Sequence, residues 1–291
     1  MNNWGRFITA MVTPFDKELN IDYEGAISLA KKLVEIGNTA LVITGTTGEA
    51  PTLTSSEKVK LYEKIKENVN VPIIAGVGTN CTKQTIQNAK EAKAAGVDGL
   101  LIVTPYYNKP DKNSLYAHFK EIAANIDLPI MLYNVPGRTG CNMLPETVEK
   151  LSQINNIVAL KEASGDITQI ADIVKRTPQD FKIYSGDDIS LLPSMAVGTY
   201  GVVSVCSHIV GKEMNDMINY FIKGEVQKAT EIHLNLLDIF RKLFMITNPI
   251  PVKAALNMLG MDVGGVRLPL TNAREYELEI IKESLKKLNI L

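Results

Sequence analysis

A lysine closes a short apolar run: Lys161 follows the residues I-V-A-L at 157–160. An amine among apolar neighbours loses the hydration of its ammonium form, so its pKa falls below the usual value of about 10.4. The neutral amine can then attack a carbonyl and form an iminium, the electron sink that carbanion chemistry needs. A structural ion pair with Glu162 or Asp187 is the alternative interpretation, and Lys161 alone does not decide between the two.

Hydroxyl groups that could bind an anion or move a proton stand at the ends of other apolar runs. Thr46 and Thr47, in the turn G-T-T-G, offer hydroxyls and amide N–H groups that can form a nest for a carboxylate. An ordinary glycine-rich turn capped by threonine is the alternative. Tyr133 and Tyr107 also follow apolar runs, and two phenols with a threonine hydroxyl between them can relay a proton. Single tyrosines at such positions are otherwise packing residues.

An arginine lies in the next polar stretch, where Arg138 is part of G-R-T-G. Its planar guanidinium suits a carboxylate, although an ordinary surface arginine is the alternative. Two later polar stretches, G-D-D-I and C-S-H-I, carry no glycine-rich phosphate cradle. This composition disfavours a phosphorylated substrate.

These candidate groups all follow short apolar runs that read as strands buried on both faces. The runs lie at 7–12, 40–44, 73–77, 100–104, 130–133, 157–161, 182–185 and 202–205. Helical patterns lie between and after them, at 22–36, 55–69, 82–95, 113–125, 145–153, 168–175, 189–197 and 211–221. Eight successive β-α units predict an α/β fold, a (β/α)8 TIM barrel, with its active site at the carboxyl ends of the strands. A doubly wound open sheet is the rival, but no G-x-G-x-x-G follows any of the runs.

The last quarter of the chain has only helical patterns, at 225–244, 251–259 and 272–288, interrupted by N-P-I-P and R-L-P-L. We therefore predict a barrel unit over residues 1–224 that carries the active site, and a C-terminal helical appendage over residues 225–291.

Composition excludes several classes of protein. A net charge of −1 argues against a nucleic-acid binder and a polybasic membrane anchor. No apolar run approaches the ~20 residues of a transmembrane helix, and the start MNNWGRFITAMVTPF lacks the pattern of a secretory signal. The three cysteines and three histidines are scattered, so we expect a cytoplasmic protein with no disulfide, no metal site and no cofactor.

Taken together, six motifs resemble those of the dihydrodipicolinate synthase family, which belongs to the pyruvate-dependent class I aldolases that include N-acetylneuraminate lyase. They are G-T-T-G-E, T-P-Y-Y-N, Y-N-V-P-G-R-T-G, A-L-K-E-A-S-G-D, S-G-D-D and N-P-I-P-V-K. They occur in register along essentially the whole chain. The resemblance implies a lyase that condenses pyruvate with L-aspartate 4-semialdehyde, the committed step of diaminopimelate and lysine biosynthesis.

The resemblance also implies roles for the pyruvate-binding residues. Lys161 would form a Schiff base with the keto carbon of pyruvate. Thr46 and Thr47 would hold the pyruvate carboxylate, with the backbone of the eighth strand near Val203 lining the same pocket, and Gly186 would be a further substrate-binding residue.

The remaining implied roles concern proton transfer and the second substrate. Tyr133 would donate and accept the proton, linked through Thr46 to Tyr107, which in the family reaches across a subunit interface. Arg138 would bind the carboxylate of the semialdehyde. The family is most often a homotetramer, and homodimers occur.

Two other functions remain open at this level. One is another pyruvate-dependent aldolase, which acts on keto-deoxy sugar acids or sialic acid; the other is a non-catalytic barrel that binds a keto acid. Sialic-acid lyases resemble G-S-T-G-E and lack an arginine at the position of Arg138, which favours a second substrate with its own carboxylate.

One pair of residues departs from the family members that lysine inhibits strongly. Those members carry a histidine and an acidic residue where this chain has Lys58 and Gln84, whereas Asn80 and Tyr106 are retained. A cation and a neutral amide should bind the ammonium group of lysine poorly, so we expect weak feedback inhibition.

Overall fold

The computed structural model describes residues 4–291 and contains a closed barrel of eight parallel strands. Each strand pairs with its neighbours in chain order, and the last strand pairs with the first. The strands are β1 (Phe7–Ala10), β2 (Ala40–Ile43), β3 (Ile73–Gly76), β4 (Gly99–Val103), β5 (Ile130–Asn134), β6 (Ile157–Glu162), β7 (Lys182–Ser185) and β8 (Gly201–Ser204). The predicted (β/α)8 barrel is confirmed, and the rival interpretation, a doubly wound open sheet, is wrong.

The helices of the barrel follow the strands that they connect. They are α1 (Tyr23–Glu35), α2 (Ser55–Lys66), α3 (Thr82–Ala94), α4 (Lys112–Ala124), α5 (Pro136–Thr139), α6 (Pro145–Leu151), α7 (Ile167–Arg176), α8 (Leu191–Ala196) and α9 (Ser207–Ile222). A 3-10 turn at Ala50–Thr52 precedes α2. The short helix α5 was not predicted. It begins at a proline, which favours the first turn of a helix, and ends at Gly140 with a left-handed φ of 68°.

Local sequence signals fix several helix ends. The Thr54 hydroxyl accepts a hydrogen bond from the N–H of Glu57, and the Glu57 carboxylate accepts one from the N–H of Thr54, which forms a capping box at the start of α2. The Asp22 carboxylate accepts from the N–H of Gly25 at the start of α1. Helix α9 begins four residues before the predicted start at 211, with a non-helical residue, Val210, inside it.

The continuous apolar character of the strands follows from their burial on both faces. Every residue of β1, β2, β5 and β8 is buried. Side chains that point into the barrel form one cluster, which includes Ile8, Ile74 and Met131. Those that point outward pack against the surrounding helices.

The C-terminal appendage consists of α10 (Val226–Lys242), α11 (Ile250–Met258) and α12 (Glu275–Lys287). One apolar cluster joins Val202 of β8 and Met214 of α9 to Phe240 of α10 and Ile281 of α12. The predicted boundary at residue 224 therefore runs through a shared apolar core. The division into a barrel unit (1–224) and a helical appendage (225–291) stays a prediction. Residues 1–3 of the barrel unit lie outside the described part of the chain. Within residues 4–291, no helix is both long enough and apolar enough to cross a membrane.

Candidate active site

The barrel register brings Lys161 beside two tyrosines. Lys161 pairs with Tyr133 on β5 and with Tyr184 on β7. Its side chain is 5% exposed, and Nζ lies 4.5 Å from the centre of the Tyr133 ring. Among residues 4–291, no carboxylate lies within ion-pair distance of this amine and no side chain or carbonyl accepts a hydrogen bond from it.

Burial lowers the pKa of Lys161 to about 8. The charge of Asp188 acts in the opposite direction, and that of Arg138 lowers the pKa further. Asp188 is itself buried, with Oδ2 accepting from the N–H groups of Val205 at 3.1 Å and Cys206 at 2.9 Å. A substantial fraction of the amine is therefore neutral near pH 7 to 8, as a carbonyl nucleophile requires.

The structural ion pair considered for Lys161 is absent from the described part of the chain. The Glu162 carboxylate instead accepts from the side-chain amide of Asn134, with Nδ2 2.9 Å from Oε2, and from the N–H of Ser164. The Asp187 carboxylate accepts from the hydroxyl of Ser190 at 3.0 Å. Both alternative partners are occupied elsewhere, and Lys161 has the free amine that the chemical interpretation requires.

Gly186 leaves space for the lysine side chain. A Cβ atom at this position would lie 3.0 Å from both Cγ and Cε of Lys161 and 2.8 Å from Cβ of Ala163. Since the N–H of Gly186 also donates to the Glu162 carbonyl at 2.7 Å, its backbone cannot move away freely. A glycine here is what allows Lys161 to lie along the end of β7.

Lys161 lines a cavity of about 170 Å³, a volume that suits a small substrate. Its polar lining comes from the ends of several strands and from the C-terminal region. These residues are Thr46, Thr47, Tyr133, Arg138, Lys161, Asp187 and Asn248. A second cavity of about 300 Å³ shares Thr46, Tyr133 and Arg138 and extends towards Tyr106.

The turn after β2 presents two hydroxyls to this cavity. The N–H of Glu49 donates to the Thr46 carbonyl at 3.0 Å and closes the turn. The Thr47 hydroxyl accepts from Nδ2 of Asn248 at 2.8 Å, so its own proton remains available to an anion. Burial raises the pKa of the Tyr133 phenol to about 12, while the charge of Arg138 and the side chain of Thr46 act to lower it.

Arg138 supplies a positive charge at the cavity wall. It lies in the last turn of α5, is exposed, and lines both cavities. Within residues 4–291 its guanidinium has no hydrogen bond or ion pair, so all of its donors are available to a ligand.

Two predicted site residues lie outside the cavity lining. Tyr107 is 89% exposed, with a left-handed φ of 74°, and its neighbour Tyr106 lines the larger cavity. Val203 packs in the apolar cluster inside the barrel, whereas Val205, one residue beyond the end of β8, lines the cavity.

Two further polar residues near Lys161 had no predicted role. Asn248 is the first residue of the N-P-I-P-V-K motif, which supports the family resemblance but indicates no role for this residue. Asp188 is part of S-G-D-D, but nothing in the sequence shows that its carboxylate is buried against the N–H groups of Val205 and Cys206 instead of turned outward to solvent.

Comparison with known proteins decides the family. The Dihydrodipicolinate synthetase family matches residues 3–288 of this chain. The chain belongs to this family. It is 50% identical, over 99% of both chains, to the 4-hydroxy-tetrahydrodipicolinate synthase of Moorella thermoacetica.

Solved structures of other family members agree with this assignment. A dihydrodipicolinate synthase from Bacillus anthracis superposes with a TM-score of 0.96 at 48% identity, covering 98% of this chain and 99% of that one. The enzyme from Cyanidioschyzon merolae, solved with lysine bound, gives a TM-score of 0.97 at 46% identity, covering 99% of each chain.

Proposed function

We propose that this chain has the 4-hydroxy-tetrahydrodipicolinate synthase activity for which its relatives are named, with pyruvate and L-aspartate 4-semialdehyde as its substrates. This is the committed step towards diaminopimelate and lysine. The observation that carries the proposal is the unpaired, buried amine of Lys161, which faces a small cavity together with Thr47 and Arg138.

In the first half-reaction, neutral Nζ of Lys161 attacks C2 of pyruvate, and loss of water gives the iminium. The pyruvate carboxylate lies against the turn of Thr46 and Thr47, where hydroxyl and amide N–H groups face the cavity. Removal of a methyl proton converts the iminium into an enamine, because the positive nitrogen accepts the electron pair of the broken C–H bond.

Tyr133 is suited to the proton transfers of this sequence. Nζ of Lys161 lies 4.5 Å from the centre of its ring, and Thr46 lines the same cavity and acts on the pKa of its phenol. With its pKa raised to about 12, the phenol is protonated at neutral pH and can donate as water leaves. The hydroxyl of Thr46 offers the route by which that proton is replaced.

The second half-reaction joins the enamine carbon to the aldehyde carbon of the second substrate, whose carboxylate pairs with Arg138. The aldehyde oxygen takes up a proton as the C–C bond forms. The amino group of the same substrate then attacks the iminium carbon, closes the ring and releases Lys161 as a free amine.

The position of Tyr107 is relevant to the oligomeric state of the protein. An aromatic side chain that is 89% exposed and held at a left-handed φ is poorly explained by the isolated chain. We propose that it reaches into the site of a second copy in a homodimer or homotetramer and extends the Tyr133–Thr46 relay there. The same proposal places the protein in the cytoplasm, consistent with its free cysteines, Cys81, Cys141 and Cys206.

A second buried lysine makes the test more specific. Burial also lowers the pKa of Lys253 to about 8, but its Nζ donates to Oε1 of Glu49 at 2.8 Å. Pyruvate followed by borohydride should therefore add the reduced pyruvate adduct to Lys161 and leave Lys253 unmodified. Peptide mass mapping distinguishes the two positions.

The activity itself is tested with both substrates on matched variants. Lys161→Ala should lose trapping and turnover, and Lys182→Ala, which removes a lysine from the opposite end of the adjacent strand, should keep both. Arg138→Ala should be trapped by pyruvate but lose at least about tenfold in kcat/KM for the semialdehyde. Full turnover of the semialdehyde by Arg138→Ala would refute the substrate assignment.

A further inference from the structure

The second buried lysine has a place in the fold that the reaction does not explain. Lys253 of α11 is 2% exposed, and Glu49, which ends the turn of Thr46 and Thr47, is 3% exposed. Their ion pair joins the C-terminal appendage to the substrate turn across 204 residues of sequence. Neither residue is among those that line the cavity beside Lys161.

Both members of this ion pair make further contacts with the C-terminal region and with Phe15. Oε2 of Glu49 accepts from the N–H of Arg267 at 2.9 Å, and Nζ of Lys253 also donates to the Gly265 carbonyl. The Phe15 ring lies against both cations, 4.0 Å from Nζ of Lys253 and 4.6 Å from Cζ of Arg267. Glu49 is therefore held through both oxygens by groups of the C-terminal region.

The Glu49 backbone transmits this restraint to the threonines. Glu49 has a left-handed φ of 55°, and its N–H donates to the Thr46 carbonyl. The Thr13 hydroxyl donates to the Gly48 carbonyl at 2.7 Å, and Asn248, five residues before Lys253, holds the Thr47 hydroxyl. The turn is thus fixed at successive residues, and its strained last residue has the buried ion pair as its side-chain anchor.

We infer that Lys253 and Glu49 are positioning residues for the carboxylate-binding turn: their buried ion pair holds Thr46 and Thr47 in the orientation that binds the keto acid. This inference rests on the proposed function and deepens it. The pair touches no substrate atom and acts only through the turn. Its contribution therefore appears in pyruvate affinity and not in binding of the semialdehyde, whose carboxylate pairs with Arg138.

Removal of one partner and removal of both have different consequences. Lys253→Met leaves the Glu49 carboxylate buried without its cation, which destabilises the fold as well as the turn. The double variant Lys253→Met, Glu49→Met removes both charges of this pair, so thermal stability should return towards the wild-type value. The turn still lacks its anchor, and pyruvate affinity should stay low in both variants.

The experiment measures the pyruvate concentration that gives half-maximal borohydride trapping, together with Tm and the steady-state constants. In both variants we expect this concentration and the KM for pyruvate to rise about tenfold or more, with the KM for the semialdehyde within about twofold of wild type. Lys228→Met, which breaks an exposed ion pair between α10 and Glu225, is the matched control. It should change neither the half-maximal trapping concentration nor the KM for pyruvate.

The outcomes separate the inference from the proposed function. Wild-type protein that pyruvate never traps would overturn both. Trapped wild-type protein with an unchanged half-saturating concentration in the double variant would overturn the inference alone, because the pair would then serve only stability. If Lys253→Met fails to fold, the double variant carries the test by itself.

Discussion

Lys161 and Tyr133 are register partners on adjacent strands, with the amine 4.5 Å from the centre of the phenol ring and no carboxylate in ion-pair contact within residues 4–291. The parallel sheet fixes this relationship, because residues paired on neighbouring strands point to the same side of the barrel. The proposed nucleophile and the proposed proton donor are therefore held together by the barrel itself and not by a flexible loop.

Gly186 should be sensitive to a single added methyl group. In Gly186→Ala the new Cβ would lie 2.8 Å from Cβ of Ala163 and 3.0 Å from two carbons of Lys161, and the flexible lysine side chain would be displaced. Because misplacement of a nucleophile by about 1 Å can cost about 100-fold in rate, we expect kcat to fall by that order with only a small change in Tm. Steady-state kinetics and the rate of borohydride trapping measure the effect.

The control for this substitution is Gly137→Ala. A Cβ at Gly137 would contact nothing within 4 Å, and the glycine is exposed. We expect wild-type kinetics there. Equal losses in the two variants would show that the closeness of Gly186 to the lysine is not the cause.

The pH dependence of Schiff-base formation should report the pKa of Lys161, which is about 8. The neutral amine reacts, so the rate with pyruvate alone should rise with pH and level off above about pH 8. Arg138 lowers this pKa and Asp188 raises it. The midpoint should therefore move up in Arg138→Gln and down in Asp188→Asn.

Single-turnover trapping between about pH 6 and pH 9.5 is the appropriate measurement, because it omits the second substrate that we propose Arg138 binds. A midpoint that moves down in Arg138→Gln would contradict the assigned electrostatic effect. Lys182→Ala, at the opposite end of β7, should leave the midpoint in place.

The sequence was sufficient to predict the barrel, because eight apolar runs at the period of a β-α unit leave few alternatives. It also placed Lys161, Tyr133 and the Thr46–Thr47 turn at one end of the barrel, since residues that follow parallel strands share an edge of the sheet. These inferences need only local patterns and one rule of topology.

Other features depended on information that no local pattern contains. The Glu49–Lys253 pair joins positions 204 residues apart, and nothing near either residue indicates its partner. Val205, one residue beyond the end of β8, lines the cavity, whereas Val203 packs in the apolar cluster inside the barrel; β8 ends at Ser204, one residue before the predicted end. Strand ends depend on hydrogen bonds to neighbouring strands, which a single run of residues does not specify.

Lysine should inhibit this enzyme weakly. Lys58 and Gln84 line one cavity of about 340 Å³ together with Asn88, Glu91 and Tyr106. The cation of Lys58 repels the ammonium groups of a free lysine, and Gln84 carries no charge to offset them. The carboxylate of Glu91 in the same cavity already accepts from the Ser55 hydroxyl and the Gln87 amide. Initial-rate titrations should show little inhibition below millimolar lysine.

The converse substitution tests the cause. Lys58→His combined with Gln84→Glu removes a cation and adds an acceptor, so half-inhibition should occur at a lysine concentration lower by about tenfold or more. Lys60→His, on the same helix but with its amine 4.4 Å from the Tyr23 ring, is the control and should not change inhibition. Strong inhibition of the wild type by sub-millimolar lysine would contradict this account.

A buried polar network behind the two reactive strands also has a measurable role. Asn134 and Glu162 are the residues that follow Tyr133 and Lys161, and they are paired in the same register. Nδ2 of Asn134 donates to the Glu162 carboxylate and to Oδ1 of Asn142, and its Oδ1 accepts from the N–H of Met143. Because Glu162 is 1% exposed, loss of this donor leaves a buried carboxylate short of a partner.

Asn134→Ala should therefore lower the free energy of unfolding by about 2–4 kcal/mol. Burial raises the pKa of Glu162 and the Asn134 hydrogen bond lowers it, so the substitution raises it further. A carboxyl whose folded-state pKa exceeds its unfolded value loses stability as pH rises, so the deficit should be larger near pH 8 than near pH 5. Urea unfolding at both pH values measures this, with the surface amide variant Asn125→Ala expected within about 0.5 kcal/mol of wild type. The account fails if Asn134→Ala loses no more unfolding free energy than the Asn125→Ala control, or if its loss grows as pH falls. Either result would mean that Asn134 does not stabilise the ionised form of Glu162.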